Sequence, residues 1–90
     1  MLKVVFSGKM KKDLKLAKKR GYNLDKLAEV MHLLVEGKQL PEKYKDHKLT
    51  GEYEGQRECH IEPDWLLIYK IEDNLLILTL TRTGTHSDLF

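Results

Sequence analysis

The sequence predicts one α+β domain over residues 1–90, in which a mostly antiparallel sheet carries a helical hairpin on one face. Three observations predict this class. A short β-branched run comes first, two segments of helical periodicity follow, and three strand-like runs, the last two of them apolar, come after a polar connection. The order is therefore β-α-α-β-β-β. Ninety residues, of which 41% are hydrophobic, are enough for one core but not for two.

The first two elements have clear boundary signals. Leu2–Phe6 is β-branched and aromatic, which is typical of a strand. Ser7 is a suitable N-cap for a helix over Gly8–Arg20, and Gly21 follows where a left-handed terminator is expected. The helix has a narrow apolar stripe, formed by Met10, Leu14 and Ala17.

A second helix begins after Asn23 and ends at Gly37. Its apolar stripe is wide and should face the core; it comprises Leu24, Leu27, Ala28, Met31, Leu34 and Val35. His32 lies off this stripe, which predicts a surface histidine without a role. Because only a few residues separate the two helices, they should form a hairpin.

The second half of the chain is predicted to be a set of strands. A polar connection, Lys38–Thr50, is long enough to be functional. Pro63 and Asp64 mark one turn, and Glu72, Asp73 and Asn74 mark a tight hairpin. The strands are Gly55–Ile61, Trp65–Ile71 and Leu75–Arg82, before a tail over Thr83–Phe90. Leu2–Phe6 should pair at an edge or beside the last strand.

Composition excludes several classes of protein. The apolar runs are much shorter than the roughly 20 residues of a membrane helix, and charges interrupt any signal peptide. A single cysteine fits a reducing compartment, so a bacterial-type cytoplasm is expected. Residues 1–20 hold eight basic residues and one acid, which is +7, so the other seventy carry −5 of the net +2. Such a basic block indicates an anionic partner, nucleic acid foremost, or else a solvated helix face.

The stretch from Arg57 to Trp65 combines a thiol, an imidazole and several charges. Strand alternation places Cys59 and Ile61 on one face, against the helices, and Glu58 and His60 on the other, facing out. Cys59 should therefore be a small buried hydrophobe, and it cannot share an ion with the adjacent His60. Because no metal-ligand spacing is present either, neither a metal site nor another cofactor is expected.

Three histidines stand at predicted strand or loop ends and could converge on one face. Metal-independent RNA cleavage needs groups that exchange protons and a cation that stabilises charge. The chain offers such groups in His47, His60 and His86, together with Asp64 and Arg82. RNA supplies its own nucleophile, the 2′-hydroxyl, while imidazoles exchange protons and an arginine fork stabilises the phosphorane. Alternation would place Arg82 with core leucines, so either a bulge near Thr81 turns it or those leucines line a floor beneath the site. Trp65 either stacks on a base or belongs to the core.

Three motifs in this order and spacing resemble one family. DHKLTG (Asp46–Gly51), RECHIEPDWLLIYK (Arg57–Lys70) and RTGTHSDLF (Arg82–Phe90) are similar to the YafQ branch of the RelE/ParE toxin superfamily. The opening MLKVVFSGKMKKDLKLAKKRGY fits that family's first strand and basic helix, so the similarity spans nearly the whole chain.

The resemblance implies a type II toxin with a RelE-like fold that cuts mRNA on the ribosome and is neutralised by a cognate antitoxin. It implies catalytic roles for the base, the acid and charge stabilisation, carried by His47, His60, Asp64, Arg82 and His86. It also implies contacts to the RNA or ribosome, for which the candidates are Glu58, Trp65, Phe90, Lys11, Lys12, Lys18 and Lys19. Neither a membrane nor a small-molecule ligand is expected as a partner.

One alternative is a ParE-like or non-catalytic member of the superfamily that acts by binding through its basic surface. ParE-like relatives lack the ribonuclease histidines, whereas this chain has all three. A second is a structural interaction protein whose basic helix docks an acidic partner.

Overall fold

The computed structural model describes residues 1–90, which form one five-stranded sheet and three helices. The strands are β1 (Lys3–Phe6), β2 (His47–Lys48), β3 (Arg57–Glu62), β4 (Trp65–Glu72) and β5 (Ile77–Gly84). The helices are α1 (Gly8–Lys19), α2 (Leu24–Val35) and α3 (His86–Leu89), and short 3-10 turns occupy Glu42–Tyr44, Gly51–Tyr53 and Asp73–Leu75. The α+β class and the order of the first elements are as predicted. The two longest helices have twelve residues each, too few to span a bilayer.

The sheet order is β1-β5-β4-β3-β2, so the central strands are those of the two C-terminal hairpins. β1 lies at one edge and pairs in parallel with β5, from Lys3 opposite Ile77 to Phe6 opposite Leu80. All other pairs are antiparallel. The first strand was predicted to lie at an edge or beside the last strand, and β1 does both.

The predicted caps define where both long helices begin. The Ser7 hydroxyl accepts a hydrogen bond from the Met10 backbone N–H at 2.9 Å, and the Asn23 side chain accepts one from the Asp25 N–H at 3.0 Å. Each bond satisfies an N–H that a helix N-terminus leaves without a partner. Gly21, at φ 77°, reverses the chain between the helices in a conformation that costs a glycine little.

The main core lies between the helices and one face of the sheet. Met10 and Ala17 are buried on α1, as the stripe predicted. On α2 the buried residues are Leu27, Val30 and Leu34, whereas Ala28 is exposed. The predicted stripe was therefore wrong at Ala28 and missed Val30, because the face is rotated by part of a turn toward the sheet. Cys59 and Ile61 point into this core as predicted.

A second, smaller apolar cluster covers part of the opposite face of the sheet. It comprises Tyr53, Leu66, Ile68 and Leu89, with Leu49 packed against it. The sequence predicted that Glu58 and His60 share this face and point away from the helices, and both lie on it. Glu58 is nevertheless only 4% exposed, because the segment before β3 and the C-terminal helix fold over its surroundings.

Three elements were not predicted. β2 has two residues within the polar connection, and it pairs His47 with Glu58 and Lys48 with Arg57. β5 continues to Gly84, into the predicted tail, and α3 follows it. The Thr85 side chain accepts from the Asp88 N–H while the Asp88 carboxylate accepts from the Thr85 N–H, a capping box that starts α3.

Candidate active site

The register of the sheet aligns residues from three separate sequence motifs in one row. His47 lies opposite Glu58, Glu58 opposite Ile68, and Ile68 opposite Arg82. Directly opposed residues on neighbouring strands point to the same face. Four strands therefore deliver these four side chains to one face, and His60 lies two residues beyond Glu58 on the same side.

A bulge in β5 decides where Arg82 points. Tyr69 pairs with Leu80 and Ile68 with Arg82, so Thr81 is an extra residue between them. The bulge moves Arg82 out of the alternation of Leu78 and Leu80, which remain in the core. Of the two alternatives that the sequence left open, the bulge near Thr81 is the one observed. Ser7 supports it, since its hydroxyl donates to the Thr81 carbonyl at 2.6 Å.

The buried carboxylate of Glu58 lies between two imidazoles. Its Oε1 is 3.4 Å from His47 Nε2 and 3.4 Å from His60 Nε2. The rings of His47 and His60 are 6.1 Å apart, and the rings of His60 and His86 are 5.7 Å apart. The three histidines that the sequence separates by 13 and 26 positions therefore converge, as predicted.

Backbone carbonyls fix the tautomers of two of these rings. His47 Nδ1 lies 2.7 Å from the Lys45 carbonyl oxygen and His60 Nδ1 lies 3.3 Å from that of Pro63. A carbonyl oxygen only accepts, so each Nδ1 carries a hydrogen. Each Nε2 then faces the Glu58 carboxylate, which also only accepts. Both rings are therefore oriented with Nε2 toward the same carboxylate oxygen.

Asp64 orients the third histidine. One carboxylate oxygen accepts from the His86 backbone N–H at 2.9 Å and lies 2.5 Å from His86 Nδ1. These hydrogen bonds, the backbone one foremost, hold the pKa of Asp64 below its usual range. Because Nδ1 is bound to Asp64, Nε2 is the atom that His86 presents to the site. His86 is exposed, so a substrate can reach it.

Arg82 is bound to helix α1. Its Nε and Nη2 donate to the two carboxylate oxygens of Asp13, at 2.8 and 3.0 Å. This bidentate pair raises the pKa of Arg82 above the usual arginine value, so the guanidinium is always charged.

A partly buried anchor holds the loop that carries His47. Asp46 accepts from Arg57 Nε at 3.1 Å and Nη2 at 2.9 Å, and also from the Tyr69 hydroxyl. Burial and this neighbouring carboxylate raise the pKa of Tyr69, which keeps its phenol protonated and donating. The anchor fixes the residue next to His47 against the β3–β4 hairpin.

Similarity to known proteins identifies the family of this chain. Residues 2–90 match the family described as bacterial toxin of type II toxin-antitoxin system, YafQ. The chain belongs to the YafQ family of type II toxins. It is 49% identical, over 97% of its length and 94% of the relative's, to the mRNA interferase toxin YafQ of Escherichia coli strain K12.

Solved crystal structures of bacterial toxins also share the fold. One is YafQ in the E. coli DinJ-YafQ toxin-antitoxin complex, with a TM-score of 0.90 and 47% identity, covering 99% of this chain and 97% of that one. Another is a metal-bound toxin from Helicobacter pylori, with a TM-score of 0.94 and 44% identity over the full length of both. The family that the three sequence motifs indicated is thus confirmed.

Some predicted residues of this YafQ-family site lie elsewhere than expected. Trp65 is only 2% exposed; its Nε1 donates to Thr83 Oγ1 at 2.9 Å and its ring packs on Tyr22, so it has no face for a base. Glu58 lies beneath the imidazoles and cannot be a surface contact. Phe90 is 66% exposed beside Tyr53, with ring centroids 5.7 Å apart. The predicted lysines are all exposed on α1: Lys11, Lys12, Lys18 and Lys19.

Sequence reasoning missed the residues that support the site. Asp46 opens the DHKLTG motif but was not singled out as a site residue, and Asp13 was conspicuous only as the single acid of the basic block. It also missed a cluster of possible metal ligands. The ligand atoms of His47, Glu58 and His60 lie within 4.8 Å of one another. Cys59 is on the other face, as predicted, but β2 brings His47 into its place.

Proposed function

We propose that the chain is an endoribonuclease toxin that cleaves mRNA on the ribosome without needing a metal ion for the reaction. The observation that carries this proposal is the convergence of three imidazoles, at ring separations of 5.7 and 6.1 Å, on the face that also carries Arg82. The E. coli relative is named an mRNA interferase. Acid–base cleavage of RNA needs imidazoles to exchange protons and a cation such as Arg82 to stabilise charge.

The proposed reaction transfers two protons around one phosphate. A neutral imidazole of the His47–Glu58–His60 cluster takes the proton of the 2′-hydroxyl, and the 2′-oxygen attacks the phosphorus. The bond from phosphorus to the 5′-oxygen breaks, and His86 Nε2 donates the proton that this oxygen needs. The products are a 2′,3′-cyclic phosphate and a 5′-hydroxyl.

Each supporting group has one task in this scheme. The Asp64 carboxylate holds the His86 ring by its Nδ1, which leaves Nε2 to face the phosphate. Arg82 stabilises the extra negative charge of the phosphorane, since its planar fork matches phosphate oxygens. Glu58 holds the Nε2 atoms of His47 and His60 in place, and one of these two imidazoles is the base. Phe90, exposed at the rim, offers a face on which a base can stack.

Partners follow from the same proposal. The exposed lysines of α1 bind ribosomal RNA phosphates, and the message is the substrate. A cognate antitoxin neutralises the toxin, by analogy with the E. coli DinJ-YafQ toxin-antitoxin complex. Since ribosomes and messages are cytoplasmic, the toxin acts in the cytoplasm.

The test is single-turnover cleavage of a message bound to purified ribosomes. His86→Gln and His60→Gln should each lower the rate about 10²- to 10⁴-fold, the usual contribution of general acid–base catalysis. His32→Gln is the matched control, because His32 is a surface histidine of α2 away from the site. Full activity in both site variants would refute the proposal. A loss of toxicity only when the α1 lysines are neutralised would favour a binding protein instead.

A second proposal is that the His47–Glu58–His60 cluster binds a transition-metal ion that inhibits the nuclease. Two imidazoles and a carboxylate suit Zn²⁺ or Cu²⁺, and a solved H. pylori relative is described as metal-bound. Calorimetric titration with Zn²⁺ should show binding to the wild type and to His32→Gln but not to His47→Gln. Zn²⁺ should lower the cleavage rate and EDTA restore it; equal binding to His47→Gln would contradict the proposal.

A further inference from the structure

Asp13 differs from every other residue of the basic block that surrounds it. It is the single acid among the first twenty residues, which hold eight basic ones, yet its side chain is only 11% exposed. It faces β5 and not the lysine-covered surface. Both of its carboxylate oxygens are used by Arg82, and Oδ2 also accepts from the Thr83 backbone N–H at 3.1 Å.

The geometry of the pair leaves part of the arginine available. Asp13 engages Nε and Nη2, which form one edge of the guanidinium. Nη1 lies on the other side and is not engaged by Asp13. A guanidinium has five N–H donors in a fixed plane, so binding at one edge sets the direction of the rest.

Asp13 is also attached where β5 has no strand partner on that side. β1 ends at Phe6, which pairs with Leu80, so beyond Leu80 the edge of β5 is covered by α1. The Asp13–Thr83 bond fixes the backbone directly after Arg82. The Asp13 carboxylate thus binds both the guanidinium of Arg82 and the backbone N–H of the next residue.

We propose that Asp13 is a positioning residue for the nuclease, which holds Arg82 so that Nη1 contacts the phosphate undergoing cleavage. This inference rests on the proposed function, because it assigns Arg82 to the phosphate. Asp13 itself does not touch the substrate. A freed arginine would sample many rotamers and lose orientation at the phosphate, and misplacement by about 1 Å can cost roughly a hundredfold in rate.

The test is a double-mutant cycle in the ribosome-bound single-turnover assay. Arg82→Ala should lower the rate about 10²- to 10³-fold, as for loss of one charge-stabilising donor. Asp13→Asn should lower it about 10- to 100-fold, because an amide cannot accept both N–H groups. In the Arg82→Ala background, Asp13→Asn should change the rate less than about twofold, since the effect of Asp13 passes through Arg82.

Two controls separate positioning from general effects. Asp25→Asn makes the same change in charge and chemistry at an exposed residue of α2 and should leave the rate unchanged. The ribosome concentration that gives half the maximal rate should be unchanged in Asp13→Asn, because the α1 lysines remain. Asp13→Glu, which keeps the carboxylate, should recover part of the rate.

The outcomes distinguish this inference from the proposed function. If Arg82→Ala is fully active, the role of Arg82 in the proposed function fails. If Arg82→Ala is impaired but Asp13→Asn is fully active, the positioning role alone is refuted. It is equally refuted if Asp13→Asn lowers the rate by the same factor with and without Arg82, because the loss is then structural.

Discussion

Glu58 is the one acidic residue of the protein that is buried, and it lies at the centre of the site. A buried carboxylate is costly unless it is paired and hydrogen-bonded. The two imidazoles at 3.4 Å supply that compensation, and they in turn are held by backbone carbonyls. The site is therefore a network in which each ring depends on the position of its neighbour.

Asp46 gives a prediction at the scale of one residue. Asp46→Ala should destabilise the protein by about 1–3 kcal/mol, because it leaves the buried Tyr69 hydroxyl without its acceptor and Arg57 without its pair. It should also lower the cleavage rate, because the residue beside His47 loses its anchor. Urea unfolding measures the first effect, and Asp73→Ala, at an exposed turn, is the control. Unchanged stability would show that the anchor is unimportant.

Cys59 gives a second residue-scale prediction. Burial, more than its acidic neighbours, raises the pKa of the thiol to about 12. Since the thiolate is the reactive form, the folded protein should react with Ellman's reagent at least about a hundredfold more slowly than the urea-unfolded chain. Equal rates in the two states would mean that this part of the core opens readily.

At the scale of elements, the short α3 matters most, since it carries His86 and stands beside Phe90. It is too short to be stable alone and depends on its capping box and on the pair between Arg20 Nη1 and Asp88 Oδ2, at 2.5 Å. Helix α1 and its C-cap residue thus contact the elements of the candidate site twice, through Asp13 on β5 and through Arg20 on α3.

The anchoring of α3 predicts a dependence of stability on pH. The Arg20 guanidinium, and then the Thr85 backbone N–H, hold the pKa of Asp88 well below its usual range. A depressed pKa means that the unfolded chain takes up the proton first, so the contribution is complete above about pH 4 and is lost as the pH falls further. Asp88→Asn should therefore lower the melting temperature by about 4 °C at pH 6, and the difference should shrink between pH 4 and pH 2.

Asp73→Asn is the control for this titration, since Asp73 is exposed in the turn before β5. It should change the melting temperature little at either pH. A difference between the wild type and Asp88→Asn that stays constant from pH 6 to pH 2 would show that the charge of Asp88 does not hold α3.

The elements that the sequence predicted well are those with periodicity and caps. α1 and α2 each bury one periodic face, β4 and β5 are long apolar runs, and Ser7 and Asn23 begin the helices as expected. β2 could not be predicted, because two residues have no period. The burial of Glu58 and the exposure of Ala28 depend on what packs over each face, which tertiary structure decides. The capping box of Thr85 and Asp88 was a readable signal for α3.

The sequence identified which residues form the candidate site, but not which side chains hold them in place. The histidines, Asp64 and Arg82 were identified together, since their chemistry and their motifs coincide. Trp65 was ambiguous, because an indole suits both a core and a stacking surface, and its bond to Thr83 favours the core. Asp13 is joined to Arg82 across 69 positions, and Asp46 meets Arg57 and Tyr69 only once the sheet has formed, so local patterns do not show these contacts.

At the scale of the whole molecule, charge is segregated. The basic block, residues 1–20, includes β1 and α1 and carries a charge of +7, while the remaining seventy residues carry −5. A field of this kind speeds association with a polyanion and weakens with salt.

This segregation predicts how binding to ribosomes responds to salt. Replacing both Lys11 and Lys12 by Gln should reduce the slope of log affinity against log salt by about 1.4 to 1.8, which is roughly 0.7 to 0.9 for each phosphate that a lysine no longer neutralises. Lys38 and Lys70, exposed away from α1, give the matched double replacement by Gln, which should leave the slope unchanged. Equal slopes for the two variants would exclude α1 as the RNA-binding surface.

The parallel pairing of β1 with β5 has a consequence for the timing of activity. Contacts between these strands close a loop of more than seventy residues, as the Ser7–Thr81 bond does across 74 positions. Such distant contacts form late in folding. Until β5 has been synthesised, the chain lacks Leu78 and Leu80 of its core and also Arg82 and His86. A nascent toxin therefore acquires its folded state and its nuclease in the same step, and the ribosome that is translating it holds no active enzyme before β5 emerges.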